Sequence, residues 1–233
     1  GSLSSSAVTV SSGATLMGDG PVGNLTVTGT VDPGNSAAAR ANLACGTLTL
    51  NSGGAMRVDM SAATGTAGTD WDLITASGAI AANATGTFTL YLYGPPAGFS
   101  SAAGYSWKIM SGTSISDFSA DRFFVNTDNF GASVDGGTFS VSQSGNDLYL
   151  NFTPRTADAP GSLIITQTNA SSLQLTFALN GNSDPVVIVY DQDGSFSAPS
   201  GSVPAVGAAF AGGYVVYSGT SSPQTHTGLT ACT

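Results

Sequence analysis

The chain contains no glutamate; all 14 of its acidic residues are aspartate. Cations are scarcer still: Lys108 is the one lysine, four arginines complete the set, and His226 is the lone histidine. Charged residues make up 8% of the 233 positions, against roughly 25% in an ordinary soluble protein. Each shortage excludes something. Long helices draw on Glu, Lys, Arg, Gln and Leu, so this composition does not build them. Five cationic side chains neutralise few phosphates, which argues against nucleic acid as a partner. No apolar run approaches the roughly 18 residues that a membrane-spanning helix needs. A basic segment followed by an apolar one is missing from the start, so any secretion signal is expected to have been removed already. With one histidine and no glutamate, general acid–base chemistry has few agents, and no enzyme is expected.

Cysteine is nearly absent too. Cys45 and Cys232 lie far apart, carry no metal-like spacing, and would pair only if the two ends of the chain met. Neither a metal nor a cofactor is expected for folding. What remains is 41% hydrophobic residues, enough for a core, in a background of Gly, Ser, Thr, Ala and Asn. That balance fits an extracellular or cell-surface protein.

The hydrophobic residues repeat. Ala7–Leu16, Asn24–Val31 and Thr47–Met60 each hold an alternating strand, a turn at Gly13, Gly29 or Gly53, and a second short strand. Alternation puts Val8 and Val10, Leu25 and Val27, and Leu48 and Leu50 on one face, with threonines on the other. The repeats recur about every 17 to 23 residues. One such unit does not bury its apolar face, whereas stacked parallel units do, which is the logic of a β-solenoid. The stretch Asp32–Gly46 reads as an insertion, with a turn at Pro33-Gly34 and a short helical turn within Ser36–Ala44. Further strands are expected at Trp71–Ile74, Thr87–Tyr93, Tyr105–Met110, Arg122–Val125, Thr138–Ser142 and Leu148–Phe152, the last two as a hairpin. Aromatic residues concentrate after position 88, as a capping region would require.

A linker, Pro154–Gly161, ends this pattern. Beyond it, Leu173, Leu175, Phe177 and Leu179 alternate, and Pro185–Asp191 is nearly all apolar, as a strand buried on both sides would be. Strands at Tyr214–Gly219 and Gln224–Leu229 complete an antiparallel sandwich pattern.

The segments Asn24–Ser36, Thr47–Met60 and Ala67–Ile80, followed by Ala102–Ser119 and Val141–Thr153, resemble the autotransporter-associated β-strand repeat family. The resemblance covers about residues 7–153. It implies a right-handed parallel β-helix, in a secreted or surface stalk of a bacterial protein, and brings no catalytic residues. Ser172–Gly201 and Gly212–Thr233 resemble a fibronectin type III-like module of bacterial surface proteins, ending before its last two strands. The expected fold is therefore all-β: a right-handed parallel β-helix (solenoid) with a C-terminal cap over residues 1–156, then an incomplete Ig/fibronectin type III-like sandwich over 157–233. The truncated sandwich would leave an open edge for another copy of the chain or a neighbouring domain.

Few residues carry candidate chemistry. Asp191 and Asp193 match the start of a calcium loop, but the third oxygen ligand and closing glutamate are missing, so an acidic turn is expected. Asp70 and Asp72 flank Trp71 and are expected in a solvated turn. Tyr91 and Tyr93 face away from Phe88, Leu90 and Leu92, either packing on a cap or stacking on surface glycans. Lys108 points away from Trp107 and Ile109, and His226 has no acid to orient it. The expected function is a non-catalytic structural segment (stalk, filament or adhesin) of a secreted or surface-anchored bacterial protein. The alternative is a carbohydrate-binding accessory region of a larger secreted enzyme.

Overall fold

The computed structural model describes residues 3–82, 85–191, 194–199 and 203–229. The chain forms two compact units, Gly1–Arg155 and Thr156–Thr233. Both are built of β-strands, and no helix among the described residues is long and apolar enough to cross a membrane.

Strands of the first unit arrive in groups. The first group is β1 (Val8–Val10) and β2 (Thr15–Gly18); the second is β3 (Leu25–Val27), β4 (Thr30–Pro33) and β5 (Asn42–Cys45). The third is β6 (Leu48–Leu50), β7 (Ala55–Asp59) and β8 (Leu73–Ala76), and the fourth is β9 (Ile80–Ala81), β10 (Phe88–Tyr93) and β11 (Tyr105–Ser111). The last is β12 (Ile115–Ser116), β13 (Phe123–Asn129) and the hairpin β14 (Thr138–Ser144) with β15 (Asp147–Thr153). Each group gives one element to each of three five-stranded sheets, always in the same order, except that the first supplies none to the third sheet and the last supplies two. The sheets run β1-β3-β6-β9-β12, β2-β4-β7-β10-β13 and β5-β8-β11-β15-β14. All neighbours are parallel until β15 turns antiparallel against β11.

The repeats predicted from the sequence pair in parallel, in the register their alternation demands. Val8, Leu25, Leu48, Ile80 and Ile115 form one ladder. Leu16, Val31, Met56, Leu90 and Val125 form a second. Leu43, Ile74, Met110 and Leu148 form a third. The middle members of all three are fully buried in one core. Each such side chain contributes about 1.5–3 kcal/mol by leaving water. Thr9, Thr26 and Thr49 lie in register on the other face. A one-residue slip would exchange the two sets, so the register is strongly fixed.

Two expectations require correction here. The segment after Pro33 does not form a helical turn leading back to the repeat. Asn42–Cys45 is strand β5, and Leu43 and Cys45 bury themselves beside Ile74 and Ala76, a gain that a surface helical turn of small residues cannot match. The strand predicted at Trp71–Ile74 instead spans Leu73–Ala76, because Trp71 makes isolated bridges to Met60 and Ala67 rather than joining the ladder of β8.

The turn glycines serve two different needs. Gly53 has φ +79° with open space around it, so its role is conformational. Gly29 is ordinary in φ, but a Cβ there would collide with the carbonyl oxygens of Ser11 and Ala14 in the adjoining turn. Gly29→Ala is therefore expected to cost about 2–3 kcal/mol through overpacking against backbone. Gly53→Ala should cost about 1–2 kcal/mol through backbone strain alone. Urea unfolding of both variants measures the difference, and equal costs would contradict the close-packed turn.

The second unit holds two three-stranded antiparallel sheets. One contains β16 (Leu163–Asn169), β17 (Ser172–Phe177) and β21 (Gln224–Thr227), with β17 central; the other contains β18 (Val186–Tyr190), β19 (Ala209–Phe210) and β20 (Gly213–Gly219), with β20 central. Leu175 and Phe177 of one sheet and Val186 and Ile188 of the other share a core. Strand β18 is not buried on both sides as its apolar run predicted: only Val186 and Ile188 are buried, while Val187, Val189 and Tyr190 are half-exposed. Strand β16 was not legible, because Leu163, Ile164 and Ile165 are consecutive, do not alternate, and are all exposed at the edge of its sheet.

Candidate functional site: a buried aspartate cluster

Three of the 14 aspartates are buried together at the ends of the second and third sheets. Asp32 closes the apolar part of β4, Asp59 is the last residue of β7, and Asp72 immediately precedes β8. Their exposures are 2%, 3% and 0%. One carboxylate oxygen from each lies within 4.8 Å of the other two.

The local chain explains how they are held. Asp72 accepts hydrogen bonds from the backbone N–H groups of Ala41 (2.8 Å, Oδ1) and Asp59 (2.7 Å, Oδ2). The Asp72 N–H in turn donates to the Asp59 carbonyl at 3.2 Å, so the two strand ends are tied reciprocally. Arg57, two residues before Asp59, donates to both of its oxygens, Nε to Oδ2 at 2.7 Å and Nη2 to Oδ1 at 2.9 Å. The same Nε lies 3.8 Å from Asp32 Oδ2. Asp32 Oδ1 is buried and has no hydrogen-bond partner. The guanidinium carbon of Arg57 sits 3.7 Å above the centre of the Tyr93 ring, a cation–π contact that fixes its outer face.

Burial dominates the electrostatics. It pushes the Asp72 carboxyl up to about 8; the two backbone N–H groups oppose this, and the charges of Asp59 and Asp32 add to it. The Asp32 carboxyl is raised mainly by burial, with Arg57 pulling it down and Asp59 pushing it up. Arg57 is held further up, chiefly by its hydrogen bond to Asp59. A cleft of about 370 Å³, lined by Arg40, Arg57, Asp59, Tyr93 and Pro95 among others, opens the Asp59 side of this cluster to solvent, and Asp32 and Asp72 do not line it.

Asp72 therefore leaves the solvated turn expected for it. Asp70 remains outside and accepts from the Thr66 N–H at 2.8 Å, while Asp72 turns inward because two unpaired strand-end N–H groups await it. Sequence reasoning missed Asp32 and Asp59. Their one common signal is position: each directly follows a valine that belongs to the core.

The other candidates do not gather at this cluster, apart from Tyr93. Tyr91 is 37% exposed and pairs with Arg57 across the strands, while one face of the half-buried Tyr93 ring is covered by Arg57. Asp191 Oδ2 accepts from the Ser195 N–H at 3.0 Å; Asp193 lies outside the described residues. Lys108 Nζ lies 3.4 Å from Asp147 Oδ2 in a half-exposed pair. His226 is half-buried on β21, its ring 5.5 Å from that of Tyr190. The Cys45 thiol is buried and pushed up to about 11 by that burial, and Cys232 lies outside the described residues. Set against protein-family models, curated proteins and solved structures, the chain has no match in any of the three.

Proposed function

We propose that the first unit winds as a right-handed parallel β-solenoid. On this reading the chain is a non-catalytic structural segment (stalk, filament or adhesin) of a secreted or surface-anchored bacterial protein. One observation carries the reading: three apolar ladders run through successive groups of strands while sheet membership advances in a fixed cycle. A chain that visits three sheets in rotation and pairs in parallel each time is coiling, and parallel crossovers are right-handed in nearly all known cases. The antiparallel hairpin β14–β15 and the aromatic residues packed beside it act as the cap, because they end the parallel stacking. The second unit, with two antiparallel sheets over one small core, is an Ig/fibronectin type III-like module. The buried acids support a structural rather than a catalytic role. Asp59, the one carboxylate that lines the cleft, has both oxygens held by Arg57.

The coil is tested by removing one turn of it. Val8, Leu25 and Leu48 occupy equivalent register positions, so excising Leu25–Thr47 joins Asn24 to the next equivalent strand. In a solenoid the shortened chain keeps its β circular dichroism and a cooperative melt, at a lower Tm. A shortened chain that is unfolded or aggregated would mean the three sheets are not interchangeable turns. Surface labelling of intact producing cells tests the location, and label confined to lysed cells would refute it.

A further inference from the structure

We infer that Asp32, Asp59 and Asp72 form a binding site for one divalent cation of the calcium kind, which fastens neighbouring strand groups of the first unit together. The three carboxylates are all but inaccessible to water, and with Arg57 ionised beside them the cluster carries two uncompensated negative charges when the acids are ionised. Uncompensated buried charge is costly, and a divalent cation cancels it one for one. The donor set is all oxygen, which selects a hard cation over zinc or copper.

The oxygen inventory points the same way. Asp72 and Asp59 each spend one lone pair per oxygen on N–H donors, which fixes their orientation and leaves the remaining lone pairs free. Asp32 Oδ1 has no donor at all, although it is buried beside the other two carboxylates. An orphaned buried acceptor is rare, and an ion is one of the few things that satisfies it. Oxygens within 4.8 Å of each other all fit around a single ion, since calcium–oxygen distances are about 2.3–2.6 Å. The cleft along Arg57 and Asp59 brings solvent to one of the three ligands, Asp59. Arg40 at its rim donates to the Ala38 carbonyl at 2.8 Å and so does not fill the site.

The site joins β4 of the second strand group to β7 and the residue before β8 of the third, so cation binding would stabilise the contact between strand groups rather than any one turn. Its residues belong to the first unit and do not include Asp191 or Asp193, the pair that the sequence nominated.

The test uses the whole chain, stripped with EDTA and melted with added CaCl2, MgCl2 or neither. Millimolar calcium is expected to raise Tm by about 5–10 °C, the size of shift that about a hundredfold excess over Kd produces in a unit this large. Asp32→Asn should abolish the shift. Without calcium that variant should melt at or above the stripped parent, because one buried charge is gone. Asp191→Asn should keep the full shift. Terbium luminescence sensitised by Trp71, next to Asp72 in the chain, gives a second reading that does not depend on how the variants fold; calcium should displace it. A stripped chain indifferent to calcium, magnesium and terbium would overturn the inference and leave protons to balance the cluster. A calcium shift that survives in Asp32→Asn would overturn it equally, by placing the ion elsewhere.

Discussion

Arg57→Ala is expected to destabilise the first unit by about 3–5 kcal/mol, the usual cost of removing one partner from a buried ion pair. Among the described residues Arg57 is the only cation that touches the aspartate cluster, and it does three things there. It makes two charge-assisted hydrogen bonds to Asp59, lends Coulomb attraction to Asp32 at 3.8 Å, and packs its plane on Tyr93. Truncation leaves both Asp59 oxygens without their donors, beside an Asp32 that already has an unpaired oxygen. Two further variants separate charge from shape. Arg57→Lys keeps the charge but cannot fork to two oxygens or lie flat on a ring, so it should recover only part of the loss. Adding Asp59→Asn to Arg57→Ala removes the orphaned charge and should restore about half or more of the stability. That non-additivity, read from urea unfolding of the parent, Arg57→Ala, Asp59→Asn and the double variant at equal calcium, is the sign of a coupled buried network. If Arg57→Ala cost under about 1 kcal/mol, the pair would be behaving as an ordinary surface ion pair.

The difference between what the sequence reveals and what it hides follows from the physics of pattern. Alternation along Val8–Val10, Leu25–Val27 and Leu48–Leu50 reads directly as one buried face. Their recurrence as similar units suggests parallel stacking, and the strands do pair in parallel. The hairpin of Thr138–Ser144 and Asp147–Thr153 was equally plain, having a polar turn between two alternating runs. The aspartate cluster was not. Pattern reading places a charge outside by default, and Asp32 sits before a Pro-Gly turn while Asp72 shares a short polar stretch with Asp70. What draws them in is non-local: the N–H groups of Ala41 and Asp59 meet Asp72 only once β5 lies beside β8 and the end of β7 meets the chain entering β8. The strand at Asn42–Cys45 was hidden for a similar reason. Its small residues look like a loop until Ile74 and Ala76 line up beside them.

Trp107→Ala is expected to cost about 5 kcal/mol and to loosen the first unit from its C-terminal side inward. Trp107 is 1% exposed on β11, and its ring stacks on Tyr105 at 5.2 Å and on Phe139 at 6.3 Å. Around it Phe99, Phe130 and Phe152 form a continuous aromatic cluster between β11 and the β14–β15 hairpin. Truncating a buried tryptophan costs about 3–5 kcal/mol in lost transfer energy and residual cavity. The indole N–H also donates to the Ala63 carbonyl at 2.9 Å, and losing that donor strands a buried acceptor, worth about 1–3 kcal/mol more. Trp107→Phe keeps the six-membered ring and loses the donor with the rest of the indole, so it should cost about half as much. The location of the damage is as informative as its size. In a stacked array each turn is stabilised chiefly by its neighbours, so a weakened end frays first. Hydrogen exchange should therefore accelerate over Tyr105–Ser111 and Asp147–Thr153 well before it does over Leu25–Val27 and Leu48–Leu50. Uniform loss of protection across all fifteen strands would mean the unit unfolds as a single block and that its aromatic end is not a separable cap.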